Sequence, residues 1–272
     1  MSQDAEVILN SFFKSHLVRM RDYTNVSLEE TGLLKSFSGR NLELTHFNDL
    51  YDTLIYSDLI YKALTLNPGI NQLVDLGAGS SIPTLLALKK ANLLTLKTIA
   101  VDLDPEAIEV SKRNAEKFGL SDSYTFLQGS MSSVLSDIKL DEHTLLVSNP
   151  PYIPVPPGMK EHYLLPVDGG EDGSLYLEEV LRLSLPYGPT LALLWGSLTN
   201  PRKIIPLIEE DFDVLHLEAI RIHFGHYTSL PLIKSYLYLL REAGKVVFGH
   251  NEDEGESQIV IGTILRPKSH RQ

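Results

Sequence analysis

The chain has 272 residues, 43% hydrophobic and 22% charged, enough for a globular catalytic domain with a modest accessory segment. Its formal charge of −11 repels phosphate backbones, so bulk nucleic acid is disfavoured as a partner. The absence of cysteine excludes disulfides, thiolate catalysis and cysteine-based metal sites, and no metal is expected elsewhere.

The first residues are acidic where a secretory leader needs a basic run, and no apolar stretch is long enough to span a bilayer. A cytoplasmic protein without membrane contact is expected. Apolar residues at Val7, Ile8, Phe12 and Leu17 predict a helix over 5–20. Ser27-Leu28-Glu29-Glu30 fits a capping box opening a second helix through Leu34, and 50–64 reads as a third. Residues 1–66 are therefore expected as a helical N-terminal segment, with Asn67-Pro68-Gly69 as the break before a domain over 67–272.

From residue 72 strands and helices alternate. Strands are predicted at 73–76, 98–103, 124–127, 144–147, 190–195, 214–224 and 258–265, and helices at 82–91, 106–118, 175–185 and 202–210. Such alternation implies an α/β fold with parallel strands and helices on both faces. An extra helix at 230–243 reads as packing or as a lid, and the acidic run 251–256 as a solvated loop. His223 and His226 would face opposite ways on a strand unless it ends between them.

The chemistry gathers at strand ends. After 73–76, Gly77 and Gly79 allow a tight turn and close approach of a ligand, and the helix from Ile82 offers free N–H groups to an anion. Nucleotide-binding folds of several classes share this Gly-x-Gly, and Ser81 stands at the third glycine position of the dinucleotide pattern. Asp102, at the end of the next strand, is about 20 residues on, the place of an acid that accepts two ribose hydroxyls. Asp104, before Pro105, looks like a helix cap. Ser130 and Met131 end the third strand, where Ser130 would reach an adenine amine and Met131 its ring face, or both would simply form a packed turn.

Asn149-Pro150-Pro151-Tyr152 follows the strand at 144–147. The prolines stiffen the turn and lack N–H, so the Asn149 amide oxygen and the Pro150 carbonyl could accept both hydrogens of an –NH₂ group. Tyr152 could stack on a planar acceptor. The nitrogen lone pair would then face a methyl on sulfur, and positioning would supply most of the catalysis.

On Asp75-Leu76-Gly77-Ala78-Gly79, Asp102 with Pro105, Asn149-Pro150-Pro151-Tyr152-Ile153 and Asp168-Gly169-Gly170-Glu171-Asp172-Gly173, the chain resembles the class I S-adenosylmethionine-dependent methyltransferases. Within them it is similar to the release-factor glutamine methyltransferase (HemK-like) branch. The resemblance implies a Rossmann-like seven-stranded sheet with its last strand antiparallel, and S-adenosylmethionine as cofactor. It implies that Asp75, Gly77, Ala78, Gly79, Asp102, Leu103, Ser130, Met131 and Asn149 line the cofactor, and that Asn149, Pro150 and Tyr152 hold the acceptor nitrogen. The acceptor would be a protein glutamine or, given Leu54-Ile55-Tyr56-Ser57-Asp58 where the branch has a Pro-x-x-x-Thr-Glu-like run, a small metabolite. A nucleic-acid adenine amine, an NAD-dependent dehydrogenase and a cofactor-binding regulatory module are the competing readings.

Overall fold

A computed structural model describes residues 4–18, 20–22, 50–159, 164 and 166–268. The second expected helix, from Ser27, lies outside the described residues. In chain order the elements are α1 (Ala5–Ser15), β1 (Met20–Asp22), α2 (Leu50–Leu66), β2 (Gln72–Leu76), α3 (Ile82–Ala91), β3 (Lys97–Asp102), α4 (Pro105–Phe118), β4 (Tyr124–Gln128), α5 (Met131–Leu135) and β5 (Thr144–Ser148). There follow α6 (Leu175–Ser184), β6 (Thr190–Gly196), α7 (Pro201–Asp211), β7 (Phe212–His223), α8 (Pro231–Glu242), β8 (Gly249–Asn251) and β9 (Gly255–Pro267).

The seven predicted strands are all present, and two short ones join them to make nine among the described residues. The α/β class holds. The first predicted helix stops five residues early because Leu17 takes a left-handed φ of 52°. The acidic run 251–256 holds the solvated turn expected there, at 252–254, and that turn joins a hairpin: Asn251 ends β8, Gly255 opens β9, and the two strands pair antiparallel. Charge hid this hairpin from a reading of hydrophobic periodicity. β7 ends at His223, leaving His226 beyond it.

The residues pack as two compact units. One is drawn from Val26–Asn149, Leu183–Leu193 and Thr263–Gln272. In it β6, β5, β2, β3 and β4 lie side by side in that order, each neighbouring pair parallel. Every residue of β2 and β5 is buried, the mark of central strands covered on both faces. The helices start and stop by local rules. Asp104 caps α4 by accepting from the Glu106 N–H at 2.9 Å, Pro105 sets its first turn, and Gly119 ends it at φ 72°. α2 packs on α3 and buries Leu54, Ile55, Tyr56, Leu59, Ile60 and Ala63.

The other unit is drawn from Met1–Asn25, Pro150–Arg182 and Leu194–Gly262. Here β1 runs parallel to β7, with Met20 opposite Ala219. α1 packs on α7 through an apolar stripe at Ala5, Leu9, Phe12 and Phe13. Ile259 meets Ser197 here and Thr263 meets Leu193 within the first unit, so β9 descends as β6 rises; the last strand is antiparallel, as expected. α8 buries Ile233, Leu237 and Leu240. Its base is tied to β9 by Glu256, which receives Lys234 Nζ at 2.8 Å and the Tyr238 hydroxyl at 2.8 Å. Lys234 foremost brings the Glu256 carboxyl down to about 2. No helix among the described residues is long and apolar enough to cross a membrane.

Candidate active site

In the first unit, register brings the carboxyl ends of β2, β3, β4 and β5 to one edge. Leu76 pairs with Val101 and with Ser148, and Asp102 pairs with Gln128. The turns that follow these residues carry Gly77–Ser81, Leu103, Gly129–Met131 and Asn149, so the expected site residues of this unit share one edge. Ligands of open α/β sheets bind at such an edge. The Ser148 hydroxyl donates to the Leu76 carbonyl at 2.8 Å and pins two of the strand ends together.

Gly77 and Ala78 both donate their N–H groups to the Val101 carbonyl, folding the turn back over β3. Gly77 and Gly79 take φ values of 72° and 52°, where a side chain would be strained. Ser81 also takes a left-handed φ, 54°, and its hydroxyl is paired with that of Ser111, both fully buried.

Asp102 has two fixed partners. Its Oδ2 accepts from the Gly79 N–H at 2.8 Å and its Oδ1 from the Asp104 N–H at 2.9 Å. Each oxygen keeps a second lone pair, so a vicinal diol can still be accepted there. Burial pushes the Asp102 carboxyl up, with the Asp104 charge adding to the rise, against the pull of the Asp104, Gly79 and Leu103 amides. Leu103 beside it is 66% exposed and offers an apolar rim.

Asp75, near the end of β2, is buried between elements. Thr84 of α3 donates to its Oδ2 at 2.5 Å and Tyr56 of α2 to its Oδ1 at 3.5 Å. Burial raises its carboxyl to about 7, against the two hydroxyl donors and with the nearby Asp102 charge adding to the rise. Neither Tyr56 nor Thr84 was among the expected site residues. The only signal for them was Asp75 itself, because an acid in an otherwise apolar, doubly covered strand needs donors from somewhere.

Ser130 stands at the same edge with its hydroxyl already engaged. It caps α5, accepting from the Ser133 N–H at 3.2 Å and donating to the Ser133 hydroxyl at 2.9 Å. Met131 reaches the glycine turn: a methyl built on Gly77 would lie 3.6 Å from Met131 Cε. Asn149 closes the edge, and its Oδ1 is buried with no hydrogen-bond partner among the described residues. An orphaned buried acceptor beside a glycine turn and a diol-accepting acid suits a nucleoside-like ligand and a second, N–H-bearing one.

In the second unit the residues after Asn149 are locked by the glycine-rich run. Ile153 forms a parallel bridge opposite Asp168: its N–H donates to the Val167 carbonyl at 2.9 Å and its carbonyl accepts from the Gly169 N–H at 2.9 Å. Gly173, at φ 75°, has its missing Cβ position only 2.4 Å from the Tyr152 carbonyl oxygen. Asp172 receives Asn200 Nδ2 at 3.0 Å, Lys203 Nζ at 2.8 Å and the Ser174 hydroxyl at 2.7 Å. Burial opposes the Asp172 charge, but these donors outweigh it and hold the carboxyl below its usual range.

Tyr152 departs from its expected role as an open stacking surface. It is 7% exposed and joins an apolar cluster with Ile153, Val155, Ile233 and Leu237. A methyl on Gly196 would fall 2.6 Å from its Cε2, so the glycine exists to admit the ring. Trp195 is fully buried.

Residues 55–155 match the family described as methyltransferase small domain. The chain is 27% identical over 181 residues to a release factor glutamine methyltransferase of Dictyoglomus turgidum, covering 64% of this chain and 63% of the relative. It is 31% identical over 145 residues to a ribosomal protein uL3 glutamine methyltransferase of Bradyrhizobium diazoefficiens, covering 51% and 44%. The match thus spans less than two thirds of these relatives. Among solved structures, geranyl diphosphate C-methyltransferase from Streptomyces coelicolor aligns with a TM-score of 0.45 at 11% identity, over 86% of this chain and 91% of that one.

Proposed function

We propose that this chain, which carries a methyltransferase small domain, moves the methyl group of S-adenosylmethionine to an amide nitrogen, with a glutamine side chain of a protein as acceptor. The carrying observation is the common strand edge on which Gly77, Gly79, Asp102, Met131 and the unpartnered Asn149 Oδ1 stand together. When bound, S-adenosylmethionine supplies a methyl made electrophilic by the sulfonium. Asp102 accepts the ribose diol on its remaining lone pairs, and Gly77, Ala78 and Gly79 let the backbone approach closely. Leu103 and Met131 give apolar contact to the base, with Ser130 holding the start of α5 below it.

Asn149 Oδ1 and the Pro150 carbonyl accept the two N–H bonds of the acceptor amide, which fixes the direction of the nitrogen lone pair. Pro150 and Pro151 bring no competing N–H donors to the turn. In-line positioning of this kind is worth up to about 7–11 kcal/mol of the barrier. The nitrogen would gain the methyl as the carbon–sulfur bond of the sulfonium breaks, leaving a neutral thioether, and would release one N–H proton to solvent. Tyr152 acts as the buried anchor of the turn, consistent with its 7% exposure.

The names of the relatives support a glutamine acceptor, and the charge of −11 disfavours nucleic acid. The test is transfer of labelled methyl from S-adenosylmethionine into a host extract fractionated into protein, nucleic acid and small molecules. Label on protein glutamine that disappears with Asn149→Ala supports the reading. Label confined to small molecules moves the acceptor to a metabolite, and no label in any fraction overturns the activity.

A further inference from the structure

We propose that Tyr56 is a positioning residue for cofactor binding, its hydroxyl holding the Asp75 carboxylate fixed and ionised so that its charge favours the cofactor's positive groups. This rests on the reading of the glycine edge as an S-adenosylmethionine site. Three elements meet at Asp75: β2 carries it, α3 brings Thr84 to one oxygen and α2 brings Tyr56 to the other. Tyr56 is 4% exposed and Asp75 1%, so neither hydroxyl nor carboxylate has water as an alternative partner.

The other groups facing Asp75 work against its charge. Asp102 on β3 repels it, and Tyr124 on β4 is close enough to feel it, with a buried hydroxyl that has no hydrogen-bond partner among the described residues. Burial is the largest influence and favours the protonated acid. Hydrogen bonds from Thr84 and Tyr56 favour the anion, and the balance sits at about 7. A group so poised changes charge when one donor is lost. A neutral Asp75 exerts little attraction on a sulfonium or an ammonium, so the hydrogen bond from Tyr56, together with that from Thr84, lowers the pH above which the edge attracts a cation.

Tyr56→Phe is the informative substitution because it keeps the packed ring and removes only the donor. Asp75 is followed through its carboxyl carbon by NMR titration, assigned with Asp75→Asn. In parallel, calorimetry measures binding of S-adenosylmethionine and S-adenosylhomocysteine from pH 6 to 9. In Tyr56→Phe the Asp75 midpoint should rise by about half a unit, and S-adenosylmethionine should bind about twofold more weakly near pH 7 and about threefold more weakly near pH 6, while matching the wild type near pH 9. Tyr124→Phe, which removes a hydroxyl with no partner, should move neither quantity. An unmoved midpoint, or a loss of affinity equal at every pH, would overturn the role of Tyr56. If the wild type binds neither nucleoside at any pH while the midpoint still shifts, the cofactor reading itself falls, and the role with it.

Discussion

The Gly79 N–H donates to Asp102 Oδ2 at 2.8 Å, so the glycine turn after β2 is fastened to the acid that ends β3. The acid expected to greet a ligand is also part of the scaffold that shapes the turn. Replacing it therefore has two consequences that can be separated.

Asp102→Ala should cost about 1–3 kcal/mol of stability by orphaning the Gly79 and Asp104 amides, and should abolish detectable nucleoside binding. Asp102→Asn keeps one acceptor and should lose less stability while still weakening binding about tenfold or more. Urea denaturation and calorimetric titration, run side by side, check both.

Asn149→Ala should reduce methyl transfer by about 10²–10³-fold while leaving cofactor affinity within about twofold. Its stability should be unchanged or slightly higher, because the Asn149 Oδ1 it removes is buried without a partner. Single-turnover rates and thermal melts decide this. A large loss of stability would mean that Asn149 is a packing residue.

Asp75 gives a pH dependence with a definite sign. Its folded carboxyl sits at about 7, above the ~4 of an unfolded chain. Between those values the folded form holds a proton that the unfolded form has released, so this group's contribution to stability falls as pH rises from about 4 to about 7. Asp75→Asn should flatten that slope and, at pH 8, stabilise the chain by on the order of a few kcal/mol while weakening nucleoside binding. Chemical denaturation across pH 4–8 measures it.

Gly173→Ala should disturb the turn bearing Tyr152, since the added methyl would meet the Tyr152 carbonyl oxygen at 2.4 Å and the Leu198 carbonyl oxygen at 3.0 Å, both backbone atoms. The backbone strain alone costs about 1–3 kcal/mol. Transfer should fall with cofactor affinity preserved, seen as a drop in kcat at constant Kd. Gly188→Ala, where a methyl meets nothing within 4 Å, is the comparison.

Much of this was legible because local rules and burial agree. β2 and β5 are short apolar runs ended by turn residues, and Asp104-Pro105 announces α4, so these elements fall within a residue or two of expectation. The place of Asp102 after the glycine turn was readable from spacing, whereas its hydrogen bond to Gly79 was not. What was not readable depends on distant partners. Tyr56 lies 19 residues before Asp75 with no periodicity linking them. The burial of Tyr152 depends on Gly196 and on α8, and β8 exists only because β9 pairs with it. Ser130 was read for its hydroxyl's reach, whereas the nearest orphan donors, those of α5, claimed it.

The hydrogen bond from Ser148 to the Leu76 carbonyl joins positions 72 residues apart. Closing a loop of that length carries an entropic cost that must be met before the contact returns anything. The edge bearing Gly77 and Asn149 therefore needs a contact between distant parts of the chain. On the ribosome the glycine turn emerges long before β5 does, so a nascent chain has no complete edge with which to capture a nucleoside until the strand ending at Ser148 has left the tunnel.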